Sequence, residues 1–254
     1  MAPVKISAVI ITFNEEKNIK RCITSLQKVA DEIVVVDSFS KDKTEEICRL
    51  LNVSFLQNSF EGHIQQKNFA MHQASFDIIL ALDADEELSQ ELEQSILSVK
   101  TDWQGDAYRM NRLTSYCGKW IRFCGWYPDN KIRLWDRRKG NWKGENPHDR
   151  VVMDDNQKGV AIAGDICHYS YNSFSELVNQ TEKFSTIAAN EAFINKKKIF
   201  FPFHVVVYPL LRFLNVYFLK LGLLDGKEGF VISIMDSFYR FSKYNKLHSL
   251  QRKR

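Results

Sequence analysis

The five cysteines (Cys22, Cys48, Cys117, Cys124 and Cys167) are odd in number and widely spaced, and no CxxC pair occurs among them. This excludes a zinc ribbon and a disulfide framework and suits a reducing compartment. No GxGxxG and no GxxxxGK(S/T) run follows an apolar stretch, which argues against a dinucleotide fold and a phosphate-cradling NTPase loop. Long clean apolar runs are missing too. Ala8 to Ile11 is too short for the apolar region of a secretory signal. A plain membrane span needs about 20 apolar residues, and Ile199 to Leu224 is interrupted by Pro202, His204, Pro209, Arg212, Asn215 and Lys220. Charge of one sign is lacking overall: 35 basic and 31 acidic residues leave +4, too little to mark a nucleic-acid protein.

What is present is the balance of a soluble globular chain. The 254 residues are 44% hydrophobic and 26% charged, which excludes intrinsic disorder, collagen-like repeats and low complexity. The length predicts one or two domains with a real core. The small net charge hides an asymmetry. Lys196 to Arg254 holds twelve basic, three acidic and twelve aromatic residues, a net of +9, and the other 195 residues carry −5. Such asymmetry suggests that one part meets an anionic surface. Phe, Tyr and Leu mixed with Lys and Arg suit helices lying in a membrane interface. Arg240 to Arg254 carries six basic and no acidic residues, and each adds about 1 kcal/mol near an anionic leaflet. The alternative is a helical pair packed on the rest of the protein with a solvated tail.

The first hundred residues alternate between two periods. β-branched apolar runs predict buried strands at Ile6–Thr12, Glu32–Asp37, Val53–Leu56 and Asp77–Leu82. Helical spacing predicts helices over Asn14–Leu26, with Asn14 as cap, Thr44–Leu51, Ile64–Ala74 and Ser89–Val99. Strand–helix alternation with short connections predicts a parallel α/β sheet. Such sheets bind ligands at the carboxyl ends of their strands. Here those ends read Phe13-Asn14-Glu15, Asp37 and Asp83-Ala84-Asp85-Glu86. Acidic ends want a cation, or donors such as ribose hydroxyls and base N–H groups. Asp83 and Asp85, two hard oxygen donors at one strand end, suit Mg²⁺ or Mn²⁺ gripping substrate phosphates. Otherwise they are loop and cap residues. From Asp106 to Arg150 the texture changes to short strands and long loops. Arg109 to Arg150 has eleven basic and four acidic residues and includes Trp120, Trp126, Trp135 and Trp142.

Val9-Ile-Ile-Thr-Phe-Asn-Glu15, Ile33-Val-Val-Val-Asp-Ser-Phe-Ser-Lys-Asp-Lys-Thr44 and Leu82-Asp-Ala-Asp-Glu86, in this order and spacing, resemble glycosyltransferase family 2 over residues 5 to 112. Gly125-Trp-Tyr-Pro-Asp129, Arg133-Leu-Trp135, Pro147-His-Asp149 and Leu224-Asp-Gly226 with Gly229-Phe230 resemble its branch of lipopolysaccharide-core β-glucosyltransferases. The resemblance implies an α/β, GT-A nucleotide-diphospho-sugar transferase fold: a mostly parallel central sheet flanked by helices, with a C-terminal helical, basic, membrane-interface extension. It divides the chain into a donor-binding half (1–112), an acceptor-binding and catalytic half (113–195) and an amphipathic helical extension (196–254).

The same resemblance implies residue roles. Thr12, Phe13, Asn14, Glu15, Asp37, Gln66, Lys67, Asp83 and Ala84 fall at nucleotide-sugar contacts. Phe13 would stack on the base, Asp37 would accept its N–H, and Asp85 would ligate the metal with Asp83 and His168. Arg133 would steady the leaving diphosphate, with Arg137 and Arg138 as alternatives. Asp149 would be the base, one methylene shorter than the Glu of relatives, and Asp129 its runner-up. Each has a structural alternative. Phe13 in the core, Asp37 as a helix cap, Gln66 and Lys67 on a solvated face, Asp149 paired with Arg150 or Arg133, and His148 and His168 as ordinary histidines are the chief ones. The tryptophans either form a platform for sugar rings or fill the core.

The resemblance thus implies an inverting, metal-dependent transferase. It would move a hexose, glucose by resemblance, from a UDP-sugar to an anionic lipid-linked glycan such as the lipopolysaccharide core. It would sit peripherally on the cytoplasmic face of the inner membrane and bind no nucleic acid. The alternatives are transfer to a polyprenyl phosphate carrier and a non-catalytic membrane-surface binding module. The sequence leaves the oligomeric state open.

Overall fold

The computed structural model describes residues 3–145 and 148–252, with backbone only at Glu145 and His148. Contacts divide the chain into two compact units, Met1–Arg112 with Asp129–His168, and Leu113–Pro128 with Tyr169–Arg254.

The first unit begins with β1 (Ile6–Thr12), α1 (Ile19–Leu26), β2 (Glu32–Asp37), α2 (Thr44–Leu50), β3 (Ser54–Gln57), α3 (His63–Gln73), β4 (Ile78–Asp83), β5 (Glu86–Leu88) and α4 (Gln90–Thr101). Next along the chain come β6 (Ala107–Tyr116), which runs on into the second unit, β7 (Lys119–Trp120), which belongs to the second unit, β8 (Asp129–Asp136), β9 (Gly140–Glu145), β10 (His148–Met153) and β11 (Val160–Tyr171), whose last residues are in the second unit. Strand order in the main sheet is β3-β2-β1-β4-β8-β6-β11-β5, with β7 beside β6; β9 and β10 pair separately. Strands β3, β2, β1 and β4 run parallel; β1, β2 and β4 are the apolar runs expected when both faces are buried, and β3 (SFLQ) is the half-exposed edge. One face packs Ile6, Ala8 and Ile10 against Ile19, Ile23 and Leu26 of α1. The other packs Val9, Val34 and Val36 against Ala70 and Met71 of α3.

Helix α1 starts five residues later than its spacing predicts. Asn14 has φ +57° and cannot cap it; Asn18 takes that position without a side-chain cap bond. Helix α4 behaves as read, its Ser89 Oγ accepting from Leu92 N. The region after Asp106 is more regular than its texture predicts, with strands of ten residues in β6 and eight in β8. β8 (DNKIRLWD) hides its period because Arg133, Leu134, Trp135 and Asp136 are all buried. Trp135 and Trp142 meet edge to face at 5.8 Å inside the core.

In the second unit α5 (Phe174–Ile194) and α7 (Gly226–Arg252) pack together, and α6 (Tyr208–Leu214) packs on α7. Ala189, Ala192, Val205, Tyr244 and Leu247 form one core. Gly222 and Gly229 meet backbone to backbone, and a Cβ on Gly229 would lie 1.9 Å from Gly222 O. Buried Asp225 accepts the Phe123 N–H at 2.8 Å. These contacts explain the Leu-Asp-Gly…Gly-Phe pattern as a tight helix junction. The stretch Pro202–Leu219 is one continuous helical run of 18 residues, long and apolar enough by length and composition to cross a membrane, and 17% of it is buried. Its prolines do not break it: Pro202 is its first residue, where a missing N–H costs little, and Pro209 follows the π turn Pro202–Val207. The basic C-terminal stretch is helix through Arg252, with Tyr244 and Leu247 buried and Lys246 bonded to Glu182 and Ser185, rather than a solvated tail.

Candidate active site

Register places the acidic strand ends together. Thr12 lies opposite Asp37, and Ile11 opposite Asp83, so three neighbouring parallel strands end at one level. Thr12 is buried and its Oγ1 has no hydrogen-bond partner among the described residues. The next residue, Phe13, is 55% exposed, so core packing is not its role. Asn14 adopts the left-handed conformation and ties two loops: its N–H donates to Ser40 Oγ (2.7 Å) and its Oδ1 accepts from Lys41 N (2.8 Å). Glu15 N donates to Thr44 Oγ1 at 2.9 Å; burial raises the pKa of its carboxyl against the bond from Asn18. Asp37 is fully buried and accepts from Ser40 N at 2.7 Å. It does not cap α2, whose N-cap is Lys43.

Gln66 and Lys67 are buried, not on a solvated face. Gln66 Nε2 donates to Ser38 Oγ (3.1 Å) and Asn58 O (3.2 Å), joining the loops after β2 and β3. Lys67 Nζ lies 2.8 Å from Asp83 Oδ1 and 2.8 Å from Asp149 Oδ2, over the ring of Trp142 at 4.5 Å. Arg133 Nη2 meets Asp83 Oδ2 (3.0 Å) and Glu86 Oε1 (3.1 Å), and its guanidinium also faces Trp142. Burial works against the charge on Asp83, but Lys67 and Arg133 outweigh it and hold its carboxyl well below the usual range. Arg112 reaches Asp129 (2.8 Å) and Glu86 (3.5 Å), and Lys131 reaches Asp129 (3.0 Å). Arg137 and Arg138 pair with Asp77 and Asp136, and Asp136 lies opposite Ile78 at the amino end of β4, away from this cluster.

Ala84 is buried against the core, and Asp85 is half-buried. The antiparallel pairing of β11 with β5 sets His168 opposite Glu86 and brings its Nε2 to 3.1 Å from Asp85 Oδ2. Burial disfavours the imidazolium, yet Asp85 wins and raises the His168 pKa. Among the described residues no group of three His, Cys, Asp or Glu converges as a metal cluster. Asp83 is instead held by two cations, leaving Asp85 and His168 as the donor pair. Two donors fit Mg²⁺ or Mn²⁺, which commonly complete their shells with substrate phosphates and water. His148 lies outside the described side chains.

A cavity of about 550 Å³ opens within the first unit and is lined in part by Lys67, Asp83, Arg133, Trp142 and Asp149. Asp129 is not among its lining residues. Sequence reading missed Glu86 and Arg112, and Trp142, raised only as a sugar platform or core residue, faces both Lys67 and Arg133. Glu86 is fully buried, accepts the Asp83 N–H at 2.9 Å and sits between two arginines. Its signal was its place directly after the Asp-Ala-Asp run, since a buried carboxylate wants paired cations.

Residues 7–177 match the model of the family described as Glycosyl transferase family 2. The chain belongs to glycosyltransferase family 2. An uncharacterized glycosyltransferase of Rickettsia typhi is 34% identical to it, over 98% of this chain and 88% of the relative. A lipopolysaccharide core biosynthesis glycosyltransferase, LpsC of Rhizobium meliloti, is 28% identical over 96% of this chain and 92% of its own. Among solved structures, a mannosyltransferase of Pyrobaculum calidifontis in complex with GDP-Man and Mn²⁺ aligns with TM-score 0.53 and 14% identity, covering 100% of this chain and 89% of that one. That likeness shows a GT-A fold. Being a family 2 glycosyltransferase, the protein is an enzyme, and the non-catalytic surface module is set aside.

Proposed function

We propose that this glycosyltransferase moves a hexose, with inversion, from a UDP-sugar to an anionic lipid-linked glycan of the lipopolysaccharide-core type. The observation that carries the reading is Lys67, which joins a donor-end aspartate and a candidate base at one cavity. The exposed Phe13 ring offers a face for the base. Asp37, fixed by Ser40, offers an acceptor for a base N–H. Asp85 and His168 would hold Mg²⁺ or Mn²⁺, which when bound supplies positive charge to the leaving diphosphate. Arg133, buried and fixed by Glu86 and Asp83, adds a preorganised cation for the same charge.

Asp149 is the base in this reading, and Asp129 is not, because only Asp149 lines the cavity. At rest Asp149 is held in an ion pair with Lys67 at 2.8 Å. A diphosphate entering beside Asp83 gives Lys67 another anion and releases Asp149 to take the acceptor proton. The test is transfer from a panel of UDP- and GDP-sugars, read first as slow donor hydrolysis; hydrolysis confined to GDP-sugars would overturn the donor assignment.

The relative LpsC supports a lipid-linked acceptor and work at the cytoplasmic face of the inner membrane. In the second unit the run Pro202–Leu219 exposes Phe203, Val206, Leu210, Leu214 and Phe218 on one side and packs Val205, Pro209 and Val216 on the other. Arg212 within it is paired with Asp236 of α7. A helix bound along one side with a charged pair at its middle suits lying in an anionic interface rather than crossing it.

A further inference from the structure

The charges around the cavity do not balance. Lys67, Arg133, Arg112 and Lys131 form one network with Asp83, Asp149, Glu86 and Asp129, four cations against four carboxylates. Three further cations line the same cavity: Arg109 on β6, Arg150 on β10 and Lys158 before β11. Among the described residues none of the three has a carboxylate partner. They come from separate parts of the chain; Gly159 beside Lys158 touches the Ala107 carbonyl, which holds that loop against β6 near Arg109.

The polar atoms tell the same story. Arg109 Nε, Arg133 Nε and Nη1, and Trp142 Nε1 are buried without a hydrogen-bond partner among the described residues. Arg133 and Trp142 are 4% and 3% exposed, and both line the cavity. Every one of these atoms is a donor. Buried donors left unspent cost free energy unless a ligand takes them. A cavity with surplus donors and three surplus positive charges is built for an oxyanion, and a dianion answers it better than a carboxylate.

We propose that Arg109, Arg150 and Lys158 form a subsite for a phosphate monoester on the acceptor sugar, next to the bond-forming end marked by Asp149. This rests on the transferase reading only in assigning the group to the acceptor. The phosphate stays intact; it orients the acceptor so that a hydroxyl faces Asp149.

Titration calorimetry with mannose 6-phosphate, glucuronate and mannose, each with and without saturating UDP and Mg²⁺, tests it. Mannose 6-phosphate binds in both conditions, glucuronate at least tenfold more weakly, and mannose not measurably. Arg109→Gln and the exposed pair Arg150→Gln/Lys158→Gln each weaken mannose 6-phosphate at least tenfold and change UDP affinity less than twofold. Equal binding of mannose and mannose 6-phosphate, displacement by UDP, or unchanged affinity in both variants would overturn the subsite. Absent UDP binding with the sugar-phosphate pattern intact would refute the donor reading and uphold the subsite.

Discussion

Lys67 and Asp149 are 82 positions apart in the chain, and their charged atoms meet at 2.8 Å, with the same ammonium 2.8 Å from Asp83. Removing this cation takes from Asp83 and Asp149 the charge partner they share and leaves Asp83 with Arg133. Lys67→Gln is expected to lower the unfolding free energy by about 3 kcal/mol. Urea unfolding of Lys67→Gln, Asp149→Asn and the double variant checks it: the double variant is more stable than the sum of the single losses predicts, because the two residues share one interaction.

The base assignment gives a separate contrast. Asp149→Asn reduces turnover by about a hundredfold or more, with UDP affinity kept. Asp129→Asn, which loses contacts to Arg112 and Lys131 outside the cavity lining, costs much less. Steady-state transfer kinetics decide between them. Near-normal turnover in Asp149→Asn instead fits a polyprenyl phosphate acceptor, whose oxygen needs no base.

Acid sensitivity follows from Asp31. Burial is the largest single influence and raises its pKa, but Lys100 (2.7 Å) and the Ile6 N–H (2.9 Å) together outweigh it and leave it lowered. A lowered folded-state pKa contributes stability above the unfolded value near 3.9 that is lost as pH falls through the folded one. Asp31→Asn is expected to cost about 1 kcal/mol at pH 7. The gap between variant and wild type closes in urea melts as pH falls below the unfolded-state value and through the lowered folded one.

Membrane attachment is tested without truncation, because deleting 240–252 removes buried Tyr244 and Leu247 from the second unit's core. Leu210→Glu and Leu214→Glu, at exposed positions, are expected to abolish flotation with anionic vesicles and leave the melting temperature unchanged. Flotation equal to wild type would assign attachment to another surface.

The parallel half of the sheet was legible because β-branched runs such as Ile33–Val36 have one use, a strand buried on both faces. Asp83 and Asp85 stood out by their place after such a strand. What they touch was not legible: only the antiparallel return of β11 brings His168 to Asp85, and only tertiary packing brings Lys67 to Asp83. β8 escaped because its buried residues include Arg133 and Asp136, which look like surface until their partners are known. Asn14 misled as a cap because a single left-handed residue turned the chain before the helix began.

In the proposed function Asp85 with His168 holds a divalent ion that clamps a nucleotide diphosphate at the carboxyl edge of β1, β2 and β4. Calorimetric titration of UDP into wild type and Asp85→Ala, with Mg²⁺ or Mn²⁺ and with EDTA, measures it. Tight binding is expected only for wild type with metal, and at least tenfold weaker binding in the other cases. UDP affinity that is the same in Asp85→Ala and wild type with metal present would contradict it.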